Sequence, residues 1–149
     1  MKLTHISITA RDADRLAAFY FSAFGCTLRR PRTNLSGKIF STGNGLPGVE
    51  IFSVWLSLPD TNGPFLEILE YSKTASGLPP QVNQPGYGHL SFAVDDIHKT
   101  CAAVLENGGS WQGKITNLGS IIAPWWAVYM RDPEGNILEL EQIQSLPQH

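Results

Sequence analysis

Two stretches of the chain decide its fold: Thr4-His5-Ile6-Ser7-Ile8-Thr9-Ala10-Arg11-Asp12-Ala13 and Gly88-His89-Leu90-Ser91-Phe92-Ala93-Val94-Asp95-Asp96-Ile97. Set 84 positions apart they align without a gap, histidine on histidine, serine on serine and aspartate on aspartate. The same offset carries Ala18 onto Ala102 and Gly25 onto Gly109, so the register survives through the segment that follows. An internal repeat of this kind sets the architecture before any other signal is read.

In each copy the first segment alternates as a half-buried strand does. Ile6 and Ile8, like Leu90, Phe92 and Val94, share one face, while His5 and Ser7, like His89 and Ser91, share the other. Asp12 and Asp96 then stand where an N-cap belongs, ahead of helices carrying Leu16, Phe19, Tyr20 and Ala23 in one copy and Ile97, Cys101, Val104 and Leu105 in the other. Gly25 and the Gly108-Gly109 pair suit the helix ends. Strands are expected at Lys38 to Thr42, Glu50 to Leu58 and Phe65 to Tyr71 in the first half, and at Trp125 to Arg131 and Ile137 to Gln142 in the second. Gly43 to Gly48, Pro59 to Pro64 and Asp132 to Asn136 are the turns between them. Each half is therefore βαβββ, an α+β chain of two tandem modules: module 1 at about 1–71, a linker at about 72–87 and module 2 at about 88–142.

Composition closes off other classes. With 149 residues, 42% hydrophobic and a net charge of −2, the chain is one ordinary domain. Its 11 Lys+Arg against 13 Asp+Glu leave no basic excess for nucleic acid. No apolar run reaches the roughly 18 residues of a membrane helix, and Met1 to Ile6 lacks a secretory h-region, so a cytoplasmic protein is expected. Cys26 and Cys101, without CxxC spacing, read as reduced thiols, Cys101 as a packing residue.

The closing strands match as well, Leu66-Glu67-Ile68 over Leu138-Glu139-Leu140. Alternation sends the leucines and isoleucine to the packed face and Glu67 and Glu139 to the face of the histidines. Pseudo-symmetry between the halves then lets His5, Glu67, His89 and Glu139 converge on one point. Two imidazoles and two carboxylates suit a divalent first-row metal and leave about two octahedral positions open for water or substrate oxygens. Taken singly, each residue reads better as a solvated glutamate or an ordinary hydrogen-bonded histidine; occurrence as a matched quartet reverses that. The other histidines, His98 and His149, have no counterpart and read as surface residues.

These residues, with Phe19-Tyr20, Gly25, Phe65-Leu66-Glu67-Ile68, Gly88-His89-Leu90 and Asp132-Pro133-Glu134-Gly135-Asn136, give a sequence that resembles the vicinal oxygen chelate superfamily over nearly its whole length. That group contains glyoxalase I, methylmalonyl-CoA epimerase, extradiol dioxygenases, and fosfomycin and bleomycin resistance proteins. The resemblance implies the glyoxalase/bleomycin resistance/dihydroxybiphenyl dioxygenase fold, a funnel of two βαβββ modules around one divalent metal (Ni, Co, Zn, Mn or Fe(II)), with His5, Glu67, His89 and Glu139 as its ligands. It implies a small-molecule substrate and a homodimer, and glyoxalase-like lyase or epimerase-like isomerase chemistry, in which a proton is abstracted beside a chelated carbonyl and the resulting enediolate is stabilised. Glu139 is then the catalytic base, doubling as a ligand that detaches; Glu67 stays bound or serves the opposite face, and Glu50 is a possible second base.

Departures narrow the family reading. Thr9 and Tyr71 stand where glyoxalase I has its glutathione-binding Arg and Asn, and Gly88 precedes His89 where epimerases often pair two histidines. A ring-cleaving Fe(II) dioxygenase needs two His and one Glu and has no use for a carboxylate at Glu67. A non-enzymatic drug-binding resistance protein would lack the quartet. Phe65, Trp55, Trp125, Trp126 and Tyr129 are candidate pocket walls, Phe65 foremost by parity with Glu67, although aromatics also serve cores. Trp125 and Trp126, being adjacent, put one ring on each face. Arg29, Arg30, Arg32 or Lys38 would have to meet a charged substrate tail, with Arg29 to Arg32 otherwise a solvated loop.

Overall fold

A computed structural model describes residues 1–143. The chain divides into two compact units, Met1–Gly77 and from Leu78 onward. His149 lies outside the described residues.

Unit 1 runs β1 (His5–Ala10), α1 (Ala13–Phe24), β2 (Thr27–Ser36), α2 (Lys38–Asn44), β3 (Glu50–Ser57) and β4 (Phe65–Tyr71). Its sheet has the order β1-β4-β3-β2, with β1 parallel to β4 and the other pairs antiparallel. The alternating pattern behaves as expected. Leu66 and Ile68 are fully buried, with Val54 and Leu56, and they share the core with Leu16, Phe19 and Tyr20 of α1. The opposite face of β4 is left to Glu67.

The Lys38 to Thr42 segment is a correction, because it is the short helix α2 and not a strand. The second strand of this unit is Thr27–Ser36, which includes the Arg29 to Arg32 run read as a loop. Two register shifts in the β2–β3 ladder, between Leu28 and Arg30 and between Arg30 and Thr33, erase the apolar alternation by which a strand is recognised. Pro31, which has no N–H to donate, sits in the second irregularity. Gly37 and Gly45, at φ 96° and 80°, bracket α2 in conformations that other residues resist.

Unit 2 repeats the plan with β5 (Leu90–Ala93), α3 (Ile97–Glu106), the two-residue strands β6 (Ser110–Trp111) and β7 (Thr116–Asn117), β8 (Trp125–Arg131) and β9 (Ile137–Ile143). The sheet order is β5-β9-β8-β6, and β7 also pairs with β8. The second strand of the βαβββ module is thus split in two. Leu138, Leu140, Val128 and Met130 fill the core against Ile97, Cys101 and Val104.

Matching hydrogen bonds recur in the two units. Asp12 caps α1 by accepting from the Arg15 amide, and Asp96 caps α3 by accepting from Lys99. The Ala13 amide donates to Glu70 at 2.9 Å, and the Ile97 amide donates to Gln142 at 2.8 Å, so each closing strand anchors the first turn of its module's helix. Asp132 takes the amides of Glu134 and Asn136 on one oxygen and the Asn136 side chain on the other, which explains the Asp-Pro-Glu-Gly-Asn turn into β9. No helix or strand occurs between Ser72 and His89. The end of this connection belongs to unit 2, where the Pro80 carbonyl accepts from Arg131. Among the described residues, no helix is long and apolar enough to cross a membrane.

Candidate metal centre

His5 opens β1, and Glu67 projects from the adjacent β4, whose ladder sets His5 opposite Phe65 and Ser7 opposite Glu67. The His5 Nε2 stands 3.4 Å from Glu67 Oε2, with the carboxylate largely covered and the imidazole 41% exposed. The other carboxylate oxygen is occupied: Oε1 accepts from the Ser53 hydroxyl at 3.0 Å and from the Trp55 indole N–H at 2.9 Å. Ser53 in turn accepts from Arg30 Nη2 at 2.9 Å. The His5 ring stacks on Phe65 at 5.1 Å, and Phe65 lies 4.3 Å from Trp55. Thr4 Oγ1 is 3.0 Å from His5 Nδ1; when that nitrogen donates to the hydroxyl, the Nε2 lone pair faces Glu67 and is available to a cation.

Unit 2 builds the equivalent pair. His89, immediately before β5, places Nε2 3.0 Å from Glu139 Oε2 on β9. Tyr129, opposite Glu139 on β8, puts its ring 5.0 Å from His89. Burial first, then the charges of Glu139 and Glu141, raise the Tyr129 phenol above its ordinary value, so it remains a neutral O–H. The surroundings of the two glutamates differ. Donors of the same two kinds, a serine hydroxyl and a tryptophan indole, come here from other strand positions and go to Glu141, which accepts from Ser91 at 2.6 Å and from Trp125 at 2.9 Å. Among the described residues, Glu139 meets only His89 at ion-pair distance.

The donor types and spacings fit a first-row divalent ion. Two donors each about 2.1 Å from one ion stand about 3.0 Å apart at a right angle and about 3.4 Å apart at the tetrahedral angle. The observed 3.0 and 3.4 Å match those separations, and 3.0 Å is also the length of a direct imidazole–carboxylate hydrogen bond. Within each unit, among the described residues, no third His, Cys, Asp or Glu joins the pair in a group able to hold a metal ion. Each unit therefore brings together one histidine and one glutamate.

The remaining candidates divide. Phe65 and Trp55 form one wall beside the His5–Glu67 pair. Trp125 is exposed on the face of Tyr129, held by Glu141; Trp126 falls in step with buried Val128 and Met130 on the opposite, packed side and lines no face shared with Glu139. Glu50 is outside the pair, accepting from Asn34 at 3.0 Å. Arg32 is committed to Glu70 and Asp14, and Lys38 lies at the start of α2. His98 is exposed on α3. Tyr129, one of the aromatic candidates, lies beside His89 and Glu139, and Ser53 is an addition that strand parity with Trp55 makes legible. A cavity of about 850 Å³ lies around α2, lined by Lys38, Ser41, Pro47 and Val49 among others, and includes none of the His–Glu residues.

Comparisons with known proteins agree with this plan. The profile of the Glyoxalase/Bleomycin resistance protein/Dioxygenase superfamily matches residues 2–140. A lactoylglutathione lyase from Haemophilus influenzae is 24% identical over 154 residues, covering 97% of this chain and 95% of the relative. The crystal structure of a glyoxalase family protein from Bacillus cereus superposes with a TM-score of 0.84 at 21% identity, covering 97% of this chain and 95% of that one. A fosfomycin resistance protein from Listeria monocytogenes, solved in complex with Mn(II) and sulfate, has a TM-score of 0.55 at 15% identity, covering 97% of this chain and 93% of that one. A profile match over nearly the full length, on a repeated βαβββ plan, means that the chain belongs to the Glyoxalase/Bleomycin resistance protein/Dioxygenase superfamily.

Proposed function

We propose that the protein is a divalent-metal-dependent enzyme with glyoxalase-like lyase or epimerase-like isomerase activity on a small molecule, its metal held by His5, Glu67, His89 and Glu139. The observation that carries the reading is the repeated His–Glu pair, at equivalent positions of both units and at the separations of neighbouring ligands on one ion. A set of four takes one pair from each unit, supplied by the same chain or by a second copy in a homodimer. When bound, such an ion polarises a chelated carbonyl and lowers the pKa of the adjacent C–H.

The chain's own groups then divide the work. Glu67, with Ser53 and Trp55 both donating to Oε1, is held in one orientation and serves as a permanent ligand. Glu139, with only His89 at ion-pair distance among the described residues, is free to take the proton on a carboxylate oxygen and to return it to the neighbouring carbon. Phe65 and Tyr129 keep water from one side of each imidazole.

The test is solvent-deuterium exchange at the carbon next to the carbonyl, followed by NMR in protein reconstituted with Ni, Co, Mn, Zn or Fe(II). Thiol adducts of α-ketoaldehydes and epimerisable acyl thioesters serve as candidates, and catechol cleavage is monitored in parallel. Glu139→Gln should slow exchange by about 100-fold or more. Exchange at the wild-type rate in that variant removes the base assignment. Catechol cleavage in its place would point to the dioxygenase branch.

A further inference from the structure

Of three arginines close together on β2, one is neutralised and two are not. Arg32 makes a two-pronged pair with Glu70 and reaches Asp14. Among the described residues, Arg29 and Arg30 have no carboxylate within ion-pair distance and rest instead on aromatic faces: Arg29 Cζ is 4.6 Å from the centre of the Phe65 ring, and Arg30 Cζ is 3.5 Å from that of Trp55. Successive residues of a regular strand point to opposite sides. Here Leu28 faces Leu56 while Arg30 faces Trp55, so Arg29 is the extra residue of a bulge, and the bulge aims both guanidinium groups at one aromatic wall. Ring faces hold the cations in place but leave their N–H groups without anionic acceptors. Arg30 satisfies one Nη2 hydrogen on Ser53, while its Nε is buried with no partner among the described residues.

That wall also supports the proposed metal ligands. Phe65 carries Arg29 and stacks on His5; Trp55 carries Arg30 and donates to Glu67. The Arg29 guanidinium and the His5 ring lie no more than about 10 Å apart, the two separations from Phe65 laid end to end. From this we infer that Arg29 and Arg30 form a carboxylate-binding subsite beside the His5–Glu67 pair, so that the substrate carries an anionic carboxylate a few atoms from the oxygens that chelate the metal. The subsite stands on unit 1 alone; its link to chelation rests on the metal reading above.

The first test needs no metal. The full chain, freed of metal with a chelator, is titrated with succinate and, at matched ionic strength, with succinamide and sulfate, while the Arg30 Nε–H and Trp55 indole N–H resonances are followed by NMR. Succinate should give saturable shifts in the millimolar range and succinamide none. Arg29→Gln and Arg30→Gln should each weaken the response by about tenfold, and Arg30→Lys, which keeps the charge but loses the fork, should fall between. Arg15→Gln on α1 should leave it unchanged. Equal responses to succinate and succinamide, a larger response to sulfate, or wild-type binding in both glutamine variants would overturn the subsite. In metal-loaded protein, malate should then bind about tenfold more tightly than lactate, because both offer an α-hydroxycarboxylate and only malate has a second carboxylate. Equal affinities would detach the subsite from the metal centre. Failure to load metal would overturn the metal reading and leave the succinate result standing.

Discussion

Replacing Trp55 by Phe separates the polar role of this residue from its apolar one. The ring wall against Phe65 is largely kept, and what is lost is an indole N–H donated at 2.9 Å to Glu67 Oε1. A hydrogen bond to a charged acceptor is worth about 1.5–3 kcal/mol. Ser53 still donates to the same oxygen at 3.0 Å, so the carboxylate loses about half of its fixation and not all of it. Removing a group that orients a metal ligand costs about 10- to 100-fold in affinity, or about 1.4–2.7 kcal/mol, and the lower end is expected here because one donor remains. The assay is competition for Co(II) or Zn(II) against a chromogenic chelator of known affinity, with urea unfolding run alongside to normalise for folded protein. Trp125→Phe is the matched control: it removes an indole N–H from Glu141, which is not a proposed ligand, and should change affinity by less than about twofold. If Trp55→Phe binds metal as wild type does, or if Trp125→Phe loses as much, Glu67 is not held as a ligand by this donor.

Two further predictions concern the scaffold. Glu70 is held below its ordinary value of 4.5 chiefly by the Arg32 hydrogen bonds, against the opposing effect of burial and with help from the Ala13 amide. A carboxyl depressed in the folded state stabilises fully above its unfolded value, and this stabilisation is lost as pH falls through the folded one. Glu70→Gln should therefore cost about 2 kcal/mol at pH 7 and flatten the stability curve below pH 4.5, measured by urea unfolding across pH; an unchanged acid limb would refute the role. Burial pushes the Cys26 and Cys101 thiols up to about 11, so both should resist a thiol-disulfide reagent at pH 8 in the native protein and react only after unfolding in guanidinium, whereas rapid native labelling of either would show that it is reachable.

The repeat was readable because its physics is local. Alternation on β1, β4 and β9 needed only the period of a strand, and the caps at Asp12 and Asp96 needed only a carboxylate before a helical pattern. Glu67 and Glu139 followed from the same parity. What the sequence concealed lies at β2, where two irregularities break the period and Lys38-Ile39-Phe40, rich in strand-favouring side chains, is bent into a short helix between glycines at positive φ. With its period broken, β2 is hidden in the sequence, and with it the placement of Arg29 on Phe65 and of Arg30 on Trp55. The different partners of Glu67 and Glu139 were hidden for another reason: Ser53, Trp55, Ser91 and Trp125 are plain in the sequence, but cross-strand register decides which glutamate each one meets.

On the proposed reading, one pair from each unit holds one ion. This is tested most directly by counting metal, through elemental analysis after Co(II) reconstitution and desalting, in wild type, His5→Ala and His89→Ala, with folding checked by circular dichroism. The four-ligand reading requires metal near one per chain in the wild type and a loss of affinity of about 100-fold or more in both variants, although the two histidines belong to different units. Wild-type protein without metal, or either variant retaining the wild-type content, would contradict it.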